Sequence, residues 1–329
     1  MKGFDPRFAD LPDYILKITH EIWEERRLRT LDHYYAPDIP MRFPAGIVHG
    51  NRGTIDGTLA TLAEFPDRRL LGEDVIWSGD EEAGFLSSHR LVTTGTHLGH
   101  GAFGKPTGRS FVIRAIADCA AKDGTIYDEW LIRDASGIVR QLGKDPKRFA
   151  AKQIAREGGP GKAARPFAPA DDIPGGYASR GNDSEWGARL ASILTRIMDK
   201  DIAVIRAEYD RAARTEHPGA RGGWSWDFAE FEWMNLRTAF PSATFAIHHV
   251  IGRSDPAQPH RAAVRWSLDG KHDGFGAFGP PTGAPVHVMG ITHAEFGSLG
   301  AAAPRLRREW TLYDETAVWK QILLHGGVL

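Results

Sequence analysis

The chain carries the stretch GTHLGHGAFGKPTG at residues 95–108 and repeats it as GKHDGFGAFGPPTG at residues 270–283. Ten of the fourteen positions are identical, and no gap is needed. The match extends at the same offset and resumes after five extra residues in the second copy, as in Tyr34 and Tyr209, Arg90 and Arg265, Glu129 and Glu309, Trp130 and Trp310, and Asp134 and Asp314. Solenoid repeats run to roughly 20–50 residues, so a repeat of this length predicts two globular units.

Composition narrows the class of protein. With 329 residues and 42% apolar residues, the chain can fill two compact cores. A net charge of -1, with Lys and Arg scattered among acids, argues against nucleic-acid binding. Cys119 is the single cysteine, the opening MKGFDP lacks the apolar run of a signal peptide, and no apolar run reaches the roughly 18 residues of a membrane span. We therefore expect a cytoplasmic protein with no membrane partner.

Hydrophobic spacing predicts helices followed by strands in each copy, which is an α+β arrangement. The first copy has a helical pattern at 13–35 broken near Arg26, a Pro- and Gly-rich loop at 36–51, a helix at 54–64, and strands at 70–78, 84–94, 110–120 and 125–133. The second copy has helices at 186–214 and 228–239 and strands at 243–252, 261–268, 285–296 and 307–313. We place the two domains at 1–145 and 185–329, joined by a linker at 146–184 that Phe149 and Phe167 can pin to a domain surface.

The ordered set of motifs resembles the SnoaL-like polyketide cyclases of the nuclear transport factor 2-like superfamily. The motifs are a tyrosine-containing helix, the helix stop Phe65-Pro66-Asp67, the glycine-rich stretch with Pro-Thr-Gly, and Trp130 four residues before Asp134. They cover both copies. The resemblance implies two tandem cone-shaped units, each a curved antiparallel sheet wrapped around helices, with a pocket at the wide end. This fold hosts cyclases, isomerases, dehydratases, lyases and binding proteins, so it does not fix a reaction.

The resemblance also implies which residues are catalytic. In cyclases of that family, an Asp after the Trp of the last strand removes a proton beside a carbonyl, and a His on the preceding strand assists. The matching carboxylates are Asp134 and Asp314. A carboxylate in an apolar cone is poorly solvated, so its pKa rises and it becomes a suitable base. The family's His position falls near Ala120 in the first copy, whereas the second copy has His293, so we expect His293 and Asp314 to form the acid/base pair.

Other residues are candidates for substrate binding. Strand alternation puts Arg114 and Asp118 on one face, where with Asp134 they form an alternative acid/base set. Aromatic and polar side chains near the expected pocket or its mouth complete the set: Tyr34, Tyr209, His49, Trp224, Trp226, Trp130 and Trp310. No group of His, Cys or carboxylates has the spacing of a metal site, and we expect no metal and no organic cofactor.

The leading hypothesis is a cofactor-independent acid/base enzyme of the cyclase, isomerase or lyase type. Its substrate is expected to be a small hydrophobic, aromatic compound with a carbonyl or hydroxyl group. The rival hypothesis is a non-catalytic small-molecule-binding or scaffolding protein of the same fold. In both cases we expect the two copies to pack as a pseudo-twofold internal dimer, with further homo-oligomerisation left open.

Overall fold

The computed structural model describes residues 1–173, 175, 181–298 and 302–326. Within these residues, each copy of the repeat forms one α+β unit built on a six-stranded sheet. The elements of the first unit are α1 (Leu11–Thr19), a π-helical turn (His20–Glu24), a 3-10 turn (Leu28–Thr30), α2 (Leu31–Tyr34), β1 (Pro40–Phe43), β2 (Gly46–His49), α3 (Gly50–Glu64), β3 (Arg69–Asp80), β4 (Gly84–Thr96), β5 (Ser110–Lys122), β6 (Thr125–Arg133) and α4 (Ala135–Gln141).

The connection between the units contains helix α5 (Pro146–Arg156), where the sequence predicts a linker. Pro at the start of the helix and the side chain of Asp145, which accepts a hydrogen bond from the Arg148 N–H at 2.8 Å, fix its first turn. Phe149 is buried and stacks on Phe103, with ring centroids 5.3 Å apart. This contact holds α5 against the first unit.

The second unit repeats the order of elements. They are α6 (Glu185–Met198), α7 (Ala203–Glu208), β7 (Tyr209–His217), β8 (Arg221–Trp224), α8 (Ser225–Ala239), β9 (Thr244–Arg253), β10 (His260–Lys271), β11 (Pro285–Gly297), β12 (Arg305–Tyr313) and α9 (Glu315–Gly326).

Two predicted elements need correction. The loop expected at 36–51 contains the hairpin β1–β2, whose four-residue strands are too short to show alternation. The helix expected at 186–214 is two helices, α6 and α7, of which α7 ends at Glu208, and Tyr209–His217 is strand β7. Pairing of β7 with β12 outweighs the helical spacing of this segment, because tertiary contacts override weak local propensity.

Each sheet is mixed, where the resemblance implies an antiparallel one. The order is β2-β1-β6-β5-β4-β3 in the first unit and β8-β7-β12-β11-β10-β9 in the second. All the strand pairs are antiparallel except β1 with β6 and β7 with β12, which are parallel. The inner face of each sheet, defined as the face toward the helices of its own unit, carries one apolar core. The outer face turns toward the other unit.

The two outer faces pack against each other. Ile116 and Ile132 of the first sheet share a buried apolar cluster with Met289, Ile291 and Leu312 of the second. A second cluster joins Ile76 to Ile251 and Ala263. The repeated units thus lie back to back through their sheets.

The glycine-rich stretch connects β4 to β5 and lies directly against α3. A Cβ on Gly99 would stand 1.9 Å from the carbonyl oxygen of Ala63, and one on the equivalent Gly274 would stand 2.0 Å from that of Thr238. His97 is buried there, with its Nε2 3.1 Å from a carboxylate oxygen of Glu64. Close backbone approach therefore explains why both copies keep these glycines. None of the described helices is long and apolar enough to cross a membrane.

Candidate functional site

The inner face of the first sheet and helix α3 enclose a cavity of about 510 Å³. Its walls are mostly apolar, with Phe65, Phe103 and Phe111 among them. Hydroxyl groups of Thr58 on α3 and Thr93 on β4 also line it. A cavity of this size with apolar walls and few polar groups is typical of small-molecule sites.

Two arginines project into this cavity. Arg68 follows the helix stop, is 8% exposed and lines the cavity together with Arg133 at the end of β6. Burial lowers the pKa of Arg68 to about 9, and repulsion from Arg133 and Arg26 adds to this effect. Arg133 is exposed, so the cost of burying a cation falls on Arg68. Two cationic groups therefore stand in a largely apolar chamber.

The second unit closes one side of the cavity. Asp314, Thr316, Ala317 and Lys320 line it from the start of α9, although the chamber belongs to the first unit. Lys320 forms an ion pair of 2.7 Å with Glu157, which follows α5 and lines the cavity as well. The candidate site is thus assembled from both copies and the connection between them.

Asp314 is a buried carboxylate beside this cavity. One of its oxygens accepts hydrogen bonds from the N–H and the hydroxyl of Thr316, at 2.8 and 2.7 Å. Burial raises the pKa of Asp314 to about 6, against the lowering effect of these hydrogen bonds. At neutral pH the group is mostly ionised, yet close enough to its pKa to exchange protons readily.

Asp134 has the same position in the first unit but a different environment. Its carboxylate accepts hydrogen bonds from the N–H groups of Gly219 and Ala220, in the β7–β8 turn of the second unit, at 2.8 and 2.7 Å. Ser136 and Gly137 donate to it as well. It lines a smaller cavity of about 180 Å³ that also contacts Arg114 and Trp310. Asp134 therefore joins the two units.

The interior of the second unit is filled by two tryptophans. Trp233 and Trp266 are fully buried, with ring centroids 6.2 Å apart. The indole of Trp266 packs on the backbone of Gly290, where a Cβ would stand 2.2 Å from a ring carbon. Its Nε1–H donates to the hydroxyl of Thr292 at 3.0 Å. Side chains thus occupy the space that is open in the first unit.

His293 and Asp314 do not form the expected pair. His293 is opposite Trp310 in the β11–β12 register, and Asp314 lies four residues further along. At roughly 3.3 Å per residue this separates them by about 13 Å. The imidazole of His293 instead contacts the first unit, with Nε2 2.8 Å from the Ser88 hydroxyl. Burial, reinforced by Arg90, depresses its pKa, so the ring is neutral.

Arg114 and Asp118 also lie between the units rather than in a pocket of the first. Asp118 accepts a hydrogen bond from Arg265 at 3.1 Å and is 3.2 Å from Nδ1 of His249, both in the second unit. Arg114 forms ion pairs with Glu73 and, across the interface, with Glu216. Strand alternation placed these residues on one face correctly, but that face is the outer one.

The remaining predicted binding residues lie outside the cavity of about 510 Å³. Tyr34 forms hydrogen bonds with Glu21 and Arg7, and the buried Tyr209 donates a hydrogen bond to Glu309. Trp130 and Trp310 lie under Arg265 and Arg90, with guanidinium carbons 4.0 and 3.5 Å from the ring centroids. Trp224 and His49 are exposed, and Trp226 donates to the carbonyl of Tyr209 at 3.1 Å. Of the predicted residues, Asp314 alone lines the cavity.

Sequence reasoning missed Arg68, Arg133 and Thr58. The signal was available in the repeat, because the equivalent residues of the second copy are Ala243, Tyr313 and Trp233. Positions that carry polar residues in the first copy thus carry apolar or aromatic residues in the second. By contrast, Glu129 and Glu309 are buried in both copies, and neither lines the cavity. Burial raises the pKa of each to about 7. Among the described residues, no group of three or more His, Cys, Asp or Glu could hold a metal ion.

Comparison with known proteins now gives the class. The model of the SnoaL-like polyketide cyclase family matches residues 14–142. IdmH of Streptomyces antibioticus, assigned as a polyketide cyclase, is 30% identical, with 97% of its chain and 40% of this one covered and a TM-score of 0.35. A protein of Jannaschia sp. CCS1 assigned as a SnoaL-like polyketide cyclase is 16% identical, with 97% and 43% covered and a TM-score of 0.37.

The curated proteins contain no match. The chain belongs to the SnoaL-like polyketide cyclase family, with the fold present in two tandem copies.

Proposed function

We propose that the protein is a cofactor-independent acid/base enzyme that acts in the cavity of the first unit. Its substrate is a small hydrophobic compound with a carbonyl group, and Asp314 transfers the proton. The observation that carries the proposal is a buried carboxylate of raised pKa at the wall of a cavity whose lining is mostly apolar. Family membership supports reactions of the cyclase or isomerase type.

The chemistry follows from the state of Asp314. Its ionised carboxylate accepts a proton from a carbon beside the substrate carbonyl, and the bonding electrons move to the carbonyl oxygen as an enolate. The enolate then attacks an electrophile, expels a leaving group or takes a proton back at another carbon, and the acid form of Asp314 supplies the proton that is needed. A base whose pKa of about 6 lies near the working pH suits both directions of transfer.

The second unit contributes to this site, while its own interior is filled by side chains. It supplies Asp314 and Lys320, while Trp233 and Trp266 fill its interior. The proposed active site therefore lies in the first copy, whereas the sequence favoured a catalytic pocket in the second. The rival hypothesis of a binding protein predicts the same occupancy of the cavity but no proton transfer.

Proton exchange with solvent separates the two hypotheses. The protein is incubated in D2O with a panel of aryl ketones and β-hydroxy ketones, and loss of the NMR signal of the proton beside the carbonyl is followed. We expect exchange with the native protein, little with Asp314→Asn, and native rates with Asp227→Asn, whose carboxylate is exposed. Ligands that bind without exchange would favour the binding protein.

A further inference from the structure

We infer that Arg68 and Arg133 form a carboxylate-binding subsite, so that the ligand of this cavity is an aromatic carboxylic acid. The inference rests on the proposed function in one respect, the choice of this cavity as the ligand site. It does not depend on turnover or on the role of Asp314.

Arg68 differs from the other buried arginines in having no carboxylate partner among the described residues. Arg42, Arg90, Arg261 and Arg265 each have a carboxylate partner: Asp128, Glu73, Asp74 and Asp118. Arg68 is buried too, yet across the described residues no side-chain hydrogen bond or ion pair involves its guanidinium or that of Arg133. Both guanidinium groups instead line the cavity.

A buried charge without a counterion is costly, because the protein interior solvates ions poorly. Arg68 bears this cost, because burial lowers its pKa and repulsion from Arg133 lowers it further. Arg133 is exposed at the end of β6, with its guanidinium carbon 5.5 Å from the ring centroid of Phe43. A bound carboxylate removes the cost. It is planar and accepts the parallel N–H groups of a guanidinium, which an ammonium cannot offer in the same geometry.

Among the described residues, neither arginine forms an ion pair with a carboxylate near the cavity. Asp314 accepts its hydrogen bonds from Thr316, and Glu24, which attracts Arg68, accepts a hydrogen bond from the N–H of Leu70. Glu129 attracts Arg133 from the same strand, but burial raises the pKa of Glu129 to about 7, so it is only partly ionised at neutral pH. The charge of Lys320, a third cation of the lining, is matched by Glu157. One ligand carboxylate between the arginines therefore balances the site better than a neutral group.

Size and wall chemistry define the rest of the ligand. A chamber of about 510 Å³ lined by Phe65, Phe103 and Phe111 accommodates fused aromatic rings. The second unit provides an internal comparison, because it has Ala243 and Tyr313 at the two arginine positions and has filled the space with tryptophan. The first copy thus has both the cations and the open space, and the second copy has neither at the equivalent positions.

Calorimetric titration with benzoate, 2-naphthoate and 2-anthroate tests the inference, with the neutral carboxamide of each acid as its matched ligand. We expect at least one acid to bind tenfold or more tightly than its amide. Arg68→Met and Arg133→Met should each weaken that acid tenfold or more and leave the amide unchanged. Arg69→Met, which removes the same charge from an exposed neighbour, should bind like the native protein.

Thermal unfolding separates a lost subsite from a lost fold. Arg68→Met removes a buried cation that has no side-chain hydrogen bond or ion pair among the described residues, so it should leave Tm unchanged or raise it. Arg133→Met changes an exposed position and should leave Tm unchanged. Equal affinity for acid and amide in every pair, or acid affinity that survives both substitutions, would overturn the inference. Failure of the proposed function has a different signature, since acids would then bind with this preference while no ketone exchanges its proton in D2O.

Discussion

Asp134 and Asp314 follow the last strand of their units at equivalent positions, but Asp134 binds the turn of the opposite unit through two backbone N–H groups, whereas Asp314 binds Thr316. Those groups belong to Gly219 and Ala220. The residues equivalent to them in the first unit are Pro44 and Ala45, which line the cavity together with Asp314. Proline has no N–H to donate. Pro44 thus lacks one of the two donors that hold Asp134, and Asp314 faces a cavity where Asp134 ties the units together.

Substitution of the two carboxylates should have opposite consequences. Asp314→Asn keeps the shape and the hydrogen bond from Thr316 but removes the base, so we expect turnover to fall by on the order of 10² or more while Tm stays at or above the native value. Asp134→Asn should lower the free energy of unfolding by about 1–3 kcal/mol, because amides buried between the units lose an acceptor. Steady-state kinetics and melting curves of both variants check this, and a larger kinetic loss for Asp134→Asn would contradict it.

The raised pKa of Asp314 predicts a pH-dependent cost in stability. The folded protein retains this proton up to a pKa of about 6, whereas the unfolded chain releases it near 3.8. Stability relative to Asp314→Asn should therefore decline by about 3 kcal/mol as pH rises from 3.8 to 6, since each pKa unit corresponds to about 1.4 kcal/mol. Urea unfolding of both proteins between pH 4 and 7 measures the difference, and parallel stability profiles would refute the shift.

Exchange of core residues between the copies should transfer their properties. Thr58→Trp introduces into the first unit the residue found at Trp233, and we expect it to fill the cavity and abolish ligand binding while Tm stays at or above the native value. Trp233→Thr should lower the free energy of unfolding by about 3–5 kcal/mol, as large-to-small changes in a core do. Calorimetric titration and denaturant unfolding provide the readouts. Undiminished binding by Thr58→Trp would mean that ligands bind elsewhere.

Removal of Asp118 should weaken the contact between the units. Burial opposes its ionisation, but His249 and Arg265 bring its pKa down to about 2. We expect Asp118→Ala to cost about 3–5 kcal/mol at pH 7, because a buried cation loses its carboxylate. The contribution of this depressed pKa is fully present above pH 3.8 and is lost as pH falls through 2. Unfolding followed at pH 7 and pH 3 tests this, and a loss below 1 kcal/mol at pH 7 would contradict it.

The sequence alone determined the duplication, the fold class and most of the strands. A glycine-rich hairpin that lies against a helix tolerates few substitutions, so Gly99 and Gly274 remain recognisable in both copies. Long strands such as β5 and β11 alternate over enough residues to be visible in one sequence. The hairpin β1–β2 was not predicted because its strands of four residues are too short to show alternation. Strand β7 was not predicted because it pairs with β12, which lies far away along the chain.

Only the tertiary structure decided which face of each sheet is a pocket and which is an interface. Alternation assigns Asp118 and His293 to a common face but carries no information about what covers that face. The open volume likewise depends on side chains contributed by several elements, such as Thr58 in one unit and Trp233 in the other. Asp314 reaches the cavity of the opposite unit because the sheets pack back to back, and packing of this kind is set by contacts distant in sequence.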